Sequence, residues 1–531
     1  MVFTLQRYIF RELFKVFAMA TIGLTLILSL GGVLQPVQEY GVGPKQVVHI
    51  LVYFMPITLT FVLPMAALFA SALAYGRFAS DNELDACRAS GISLLTLVYP
   101  GLVLAILVAI ANLVLSFHVM PYFVHLAEKS LKADAKQILF RNIERRGFYE
   151  LPPDGRFLMY ADHADPGSDT LFGIVVVENE RGAIGRIRTA SAARIHFDPH
   201  DRFNEIRLDV VNARQMRAMD TFWGGIAKAS VTCEFGSLLG DDIKFKKVDE
   251  MKRIRANLLL FDPISKAARD AYSQLAVELL AQDIGQTLGT PEGGAYRLTG
   301  PERSVVFSAK SCGLPDKKTV GLVGPVRVEE FDRRSGRRLR TLTCDKAVIL
   351  ADEDSAGPGL VLTLSQPQVE ETGQRMMNYI VGDLTMPKPL AERLHSAGLL
   401  ETVVPEGTAS ILAGAPSSML ADLQAKVIKE IKRTGVSIKA EMNSRLVFGL
   451  GCVPMIMIGI GLGIINRGGH LLSAFGASCL PSAVLIVAII SGKHVTENKT
   501  AQGVSGILIM WGGLACLTVL ATWLYAKLSR N

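Results

Sequence analysis

The chain has 531 residues, of which 50% are hydrophobic and only 20% charged, with a formal net charge of +7. A wholly soluble protein of this size is less apolar and more charged, so that class is set aside. The positive excess is modest and scattered, without a long basic run, which speaks for a membrane-surface balance and against nucleic-acid binding.

The apolar residues concentrate in residues 1–127 and 446–531, with a polar middle. A bilayer-spanning helix needs about 20 mostly apolar residues. The first candidate, 16–38, holds no Asp, Glu, Lys or Arg. Arg7, Arg11 and Lys15 ahead of it resemble the start of a signal peptide. The apolar stretch is too long for one and no small-residue cleavage site follows, so an uncleaved span is expected. The second candidate, 46–76, is also free of formal charge and contains Pro56 and Pro64, which should kink it.

Residues 80–93 read SDNELDACRASGIS, a polar stretch with Asp81, Glu83, Asp85 and Arg88 between two apolar ones. Ser80 and Glu83 fit the S-x-x-E capping box, in which each side chain satisfies a backbone amide of the other. The three acidic residues favour the positive end of a helix dipole, and Gly91 is a natural stop. A short helix of about ten residues, at about 80–90, is therefore expected. On local chemistry alone two readings stand level: a capped interfacial helix with solvated charges, and a coupling helix that presses into a groove of a separate ATPase. A third span follows within 89–127, at about 94–117.

From about 148 to 390 the texture changes. Short runs rich in β-branched residues, such as FLMYADHA, LFGIVVVENE, RIRTASAARIHF, NEIRLDVVNARQM, GPVRVEEFD, RLRTLTCDKAVIL, GLVLTLSQPQVEE and QRMMNYIVGDL, alternate with turn signals. Many short strands at this spacing suggest a sandwich or jelly roll. PISKAARDAYSQLAVELLAQDIGQ is helical in pattern, and with the Gly-rich TPEGGAY it reads as an insertion at about 244–319 that splits the β-fold. His163 with Asp162 and Asp165, and His196 with His200, read as solvated turns rather than metal ligands. H-E-x-x-H, G-x-S-x-G and the Walker A pattern are all missing from the sequence. No catalytic residue, metal or cofactor is expected, and any ATP chemistry belongs to another polypeptide. The seven cysteines (Cys87, Cys233, Cys312, Cys344, Cys452, Cys479 and Cys516) form no C-x-x-C pair and no readable disulfide framework. Pairing of Cys312 with Cys344 stays open.

Residues 417–445 place Leu420, Leu423, Val427, Ile431 and Ile438 at near-helical spacing, with Lys426, Lys429, Lys432 and Arg433 on the other face. This is a connecting helix, either solvated or interfacial. Three more spans follow, at 446–466, 468–492 and 500–526. Lysine and arginine bias puts both termini, the 80–93 segment and the 466–470 loop in the cytoplasm, against the counter-signal of Lys493 and Lys499. The expected fold is an α+β membrane protein: six transmembrane helices, three plus three, with an extracytoplasmic β-jelly-roll domain inserted between helices 3 and 4. Its parts are 1–127, 128–416, 417–445 and 446–531.

At this point a resemblance becomes specific. Glu83, Leu84, Ala89, Ser90, Gly91, Ile92 and Ser93 resemble the coupling segment of the LptF/LptG (YjgP/YjgQ) lipopolysaccharide export permease family. The opening LQRYIFRELFKVF, with Tyr8, Ile9 and Phe14, the three-plus-three layout and NRGG at 466–469 are similar as well. The resemblance does not cover about 244–319. It implies an inner-membrane permease subunit of an ABC transporter that extracts lipopolysaccharide or a related glycolipid. The implied partners are a cytoplasmic ABC ATPase dimer, a second LptF/LptG-like permease, a periplasmic LptC/LptA-like β-jelly-roll bridge, and membrane lipids. It also implies that Glu83, Leu84, Asp85, Arg88 and Gly91 belong to the ATPase-coupling helix. Glu83 would meet a basic residue of the ATPase. Some family members carry lysines in or near the first span for lipid phosphates, whereas here 16–38 has none and Lys45 is the nearest candidate. The alternative reading is a non-transporting inner-membrane scaffold or sensor with a periplasmic β ligand-binding domain.

Overall fold

A computed structural model describes residues 2–40, 44–133, 135–151, 157–180, 183–199, 204–217, 220–235, 242–289, 294–315, 318–352, 359–376, 378–395, 398–465, 471–498 and 504–530. The chain packs as two units. One comprises Met1–Asn142, Ser237–Ala256 and Lys432–Asn531, the other Ile143–Gly236 and Asn257–Ile431.

The first unit is helical. α1 (Val2–Tyr40) and α2 (Pro44–Ser80) are followed by the short α3 (Glu83–Ala89). α4 (Leu94–Val114) passes through a π-helical turn, Leu115–Val119, into α5 (Met120–Ala133), and α6 (Ala135–Arg146) follows. α7 (Val248–Ala256) returns to this unit after the first β-region. Six helical stretches among the described residues are long and apolar enough to cross a membrane: Phe3–Gly31, Val47–Ser80, Leu94–Ala127, Ser418–Ile465, Leu480–Glu497 and Ser505–Ser529. Three precede the β-regions in the chain and three follow them.

Small residues let these helices approach closely, as helices in lipid must, since burial from water contributes little there. A Cβ at Gly463 would lie 2.6 Å from the Ala72 carbonyl oxygen and 2.9 Å from the Gly76 nitrogen. Tyr75 donates to the Leu97 carbonyl at 2.9 Å. Leu13, Ala70, Tyr75, Phe78, Leu97, Cys452, Ile456 and Ile460 share one buried cluster.

The second unit carries two antiparallel sheets. β1 (Phe148–Leu151), β2 (Phe157–Tyr160), β3 (His163–Asp165), β4 (Thr170–Glu180), β5 (Ala183–Pro199), β6 (Asn204–Arg217) and β7 (Asp220–Phe235) form the first. Its order is β1-β2-β4-β5-β6-β7 with β3 beside β4, a meander of neighbouring strands. α8 (Asp262–Leu288) comes next, then β8 (Tyr296–Thr299), β9 (Arg303–Ser308), β10 (Ser311–Gly313), β11 (Thr319–Asp332), β12 (Arg338–Asp352), β13 (Gly359–Ser365), β14 (Gln368–Val369) and β15 (Asn378–Thr385). In this second sheet the pairings β8–β9, β9–β11, β11–β12, β12–β13, β13–β15 and β15–β8 return on themselves, so six strands make a ring. Its seam is narrow, with Thr385 paired to Thr299 and donating from Oγ1 to the Thr299 carbonyl at 2.6 Å. Inside lie Leu298, Val305, Phe307, Val328, Leu342, Ile349, Leu362 and Val381, in one cluster with Leu275, Leu279 and Leu280 of α8.

The described strands are ordered as a meander and a closed ring, and the Greek-key crossings of the expected jelly roll are not seen among the described strands. Residues 244–319, expected as one insertion, are also distributed differently. Residues 242–256 pack with the helices, while β8, β9 and β10 are members of the second sheet. Three short helices, α9 (Lys388–His395), α10 (Leu399–Val403) and α11 (Pro405–Ile411), close the unit. The connecting helix and the fourth span are one helix of 48 residues, α12 (Ser418–Ile465), followed by α13 (Leu471–Asn498) and α14 (Val504–Arg530).

Candidate functional site

The segment 80–93 folds as a seven-residue helix between two long ones, but not by the capping box. Ser80 is the last residue of α2, and its hydroxyl donates back to the Arg77 carbonyl at 2.9 Å. The Arg77 carbonyl also takes the Asp81 amide. Glu83 is consequently the first residue of α3 rather than its third, and the residue ahead of it is Asn82, held left-handed at φ 58° without a side-chain cap. Asparagine tolerates that backbone better than most residues, which lets the chain reverse between α2 and α3. The serine that does cap a helix is Ser93, whose Oγ accepts from the Thr96 amide at 3.4 Å at the start of α4.

The C-terminal end of α3 is a Schellman turn. Gly91 adopts φ +81°, its amide donates to the Arg88 carbonyl, and the Ile92 amide donates to the Cys87 carbonyl. Cys87 and Ile92 both lean on the helical core cluster, which completes the motif with an apolar contact. Leu84 enters the same cluster and is 5% exposed. Glu83, Arg88 and Gly91 are exposed, and Asp85 is partly so. The structure therefore brings four of the five coupling-segment residues to solvent and uses Leu84 as the peg. Nearby, Arg77 of α2 pairs with Glu12 of α1 at 2.7 Å, and Lys15 approaches the same carboxylate at 3.4 Å.

This arrangement offers no nucleophile and base within reach of each other. It is a short, charged helix pegged to the helical core through Leu84. Lys45 lies at the start of α2, and its side chain falls outside the described residues. Among the described residues no group of three His, Cys, Asp or Glu side chains could hold a metal. His163 stacks on Phe172, and Asp165 accepts from Gly167 and Ser168 within its own turn. Cys312 and Cys344 are both free thiols.

Sequence reasoning missed a buried charge network in the helical unit. Glu441 and Arg445 of α12 pair at 2.9 Å, with side chains 8% and 3% exposed, and Lys493 of α13 binds the other oxygen of Glu441. Arg445 also donates to the carbonyls of Lys244 at 2.8 Å and Lys246 at 3.2 Å and lies over the Phe117 ring. The signal was present as Glu and Arg four apart on one helix face. Lys493, a counter-signal to the expected sidedness in the sequence, is paired in the structure. The residues Asp242, Lys244, Ser437, Glu441, Lys493 and Glu497 line a cleft of about 290 Å³ beside this network. Segment 242–256 is tied down a second time by His125, 3.0 Å from Glu250. Burial pushes the Glu250 carboxyl up, but hydrogen bonds from His125 and the Lys247 amide outweigh it and hold the pKa at about 2.

No curated protein matches the chain. Residues 7–238, from α1 to the end of the first sheet, match the family model described as lipopolysaccharide export system permease LptF/LptG.

Proposed function

We propose, from the match of residues 7–238 to the LptF/LptG family of lipopolysaccharide export system permeases, that the chain is the membrane subunit of an ABC transporter that lifts lipopolysaccharide or a related glycolipid out of the inner membrane. A separate ATPase dimer supplies the energy, a second permease of the same kind completes the lipid path, and a periplasmic bridge receives the lipid. Both termini and α3 face the cytoplasm, and the β-regions face the periplasm.

The observation that carries this reading is α3 itself. Leu84 anchors it in the helical core while Glu83 and Arg88 stand exposed. A force applied to the exposed face reaches α2 and α4 through Leu84 and the two turns at the helix ends. Glu83 contributes a charge contact with a basic residue of the ATPase, and such pairs matter for specificity and register more than for raw affinity.

Purification of the full chain in mild detergent should bring down an ATPase. Glu83→Lys should lower lipid-stimulated ATP hydrolysis by at least about tenfold while the chain itself stays folded, as expected for juxtaposed like charges. An ATPase that never co-purifies, or activity indifferent to Glu83→Lys, would turn the assignment toward a scaffold or sensor.

A further inference from the structure

The six-stranded ring has two unlike ends. One end is closed by α8. There Gln274 accepts from the Lys318 amide at 2.8 Å, Lys318 Nζ meets Asp270 at 2.9 Å, and the Tyr296 hydroxyl donates to Asp283 at 2.5 Å. These contacts gather at the start of β8 and the start of β11. The far end is reached by following the inward-facing rows, since side chains on a strand return to the same face every second residue.

On β11 the inward row runs Val326, Val328, Glu330; on β12 Arg340 precedes the inward Leu342 by two. On β9 Arg303 precedes Val305 by two, and on β15 Tyr379 precedes Val381 by two. The apolar interior therefore ends in a layer of one carboxylate, two guanidiniums and a phenol. Glu330 is 0% exposed. It takes Arg303 Nη1 at 2.6 Å, Arg340 Nε at 3.3 Å and the Tyr379 hydroxyl at 2.8 Å.

A carboxylate is buried at a cost of several kcal/mol unless it is well paired, so Glu330 needs a cation. One arginine would meet that need. Two are present, and their side chains remain 48% and 39% exposed. Each guanidinium has five N–H donors, of which Glu330 engages only part, so donors and one net positive charge face outward. The β11–β12 turn adds Arg334 and Arg337, both exposed. It also holds Arg333, which donates to the Gly300 carbonyl at 2.8 Å. The acid of that turn, Asp332, is engaged by the Arg334 amide and the Ser335 hydroxyl.

We propose that this end of the ring is a phosphate-binding mouth. Arg303 and Arg340, aimed by Glu330 and Tyr379, grip the phosphate, and Arg334 and Arg337 flank it. Guanidinium forks match phosphate oxygens two at a time, and a partner already held in place loses little freedom on binding. The phosphate belongs to a lipid headgroup or to a soluble ester. The mouth lies in 257–431, beyond the residues that match the family.

The test titrates the full chain in non-ionic detergent with three probes: inorganic phosphate, an acyl-free diphosphorylated glucosamine disaccharide, and a phosphatidic acid in mixed micelles. Phosphorus NMR reads binding, and the shift in unfolding temperature confirms it. Saturable binding of at least one probe is expected. Arg303→Gln with Arg340→Gln should weaken it by at least about tenfold, the size of one or two charged hydrogen bonds. That pair leaves Glu330 uncompensated and could loosen the ring. The pair Arg334→Gln and Arg337→Gln breaks no bond inside the ring and should still weaken binding roughly threefold, as loss of flanking charge does. Arg253→Gln, an exposed change on α7, should leave binding as it was. Tighter binding of the micellar probe than of the disaccharide identifies a headgroup site; equal binding identifies a soluble ester. Absence of saturable binding for all three probes, or binding unchanged in both arginine pairs, overturns the proposal. Neither of those results would disturb co-purification of an ATPase.

Discussion

Leu84 and Glu83 are neighbours with opposite tasks, and their substitutions should separate. Leu84→Ala removes a buried side chain 5% exposed from the helical core. It should cost about 2–4 kcal/mol, visible as a lower unfolding temperature in detergent. Glu83→Lys should leave that temperature nearly unchanged, because an exposed charge contributes little to folding. Glu250 offers a pH test at the same scale. Its folded pKa of about 2 lies below the ordinary 4.5, so its contribution is complete above pH 4.5 and disappears as pH falls toward 2. An acid titration of stability should lose its steepest part over that window in Glu250→Gln. A titration unchanged by the substitution would remove the His125–Glu250 bond from the account. At Cys344, burial pushes the thiol up to about 11, and Cys312 is raised by the same cause. Non-reduced and reduced protein should therefore give the same intact mass, with both thiols open to alkylation after unfolding.

Among the elements, helix ends show where local pattern and tertiary geometry part. SDNELDACRASGIS was legible as a short helix stopped by Gly91, because acidic residues before a left-handed glycine are a local signal. The capping serine was misplaced, because α2 continues through Ser80 and takes its hydroxyl for the Arg77 carbonyl. Ser93→Ala should accordingly lower stability by about 1 kcal/mol while Ser80→Ala costs little, and thermal unfolding of the two variants checks the order. Gly463 sets a second constraint. Its missing Cβ lets α12 touch the backbone of α2, and Gly463→Leu should destabilise by about 1–3 kcal/mol through overpacking.

For the whole molecule, six apolar helices follow from composition, but the sidedness proposed for α3 and the ring needs a separate measurement. Asp85→Cys should react with a membrane-impermeant maleimide only after the inner membrane is opened. Ser335→Cys, in the β11–β12 turn, should react in cells whose outer membrane alone is permeable. Labelling of both from the same side would reverse the proposed topology.

The sequence by itself determined the apolar helices, the charged knob between the second and third of them, the strands with clean alternation, and the match of residues 7–238 to a family model. These are local properties, written in runs of about 20 apolar residues or in period-two patterns, and they survive any global arrangement. Tertiary structure alone decided the rest. Glu330, Arg303, Arg340 and Tyr379 come from four strands spread over 303–379, and nothing in their spacing predicts one buried layer. Likewise Lys493 meets Glu441 from 52 residues away. β8, β9 and β10 are too short to stand out beside a Gly-rich loop and become strands only because neighbours in the ring satisfy their backbone groups. Long-range pairing is a property of closure, and closure leaves no mark on a short stretch of chain.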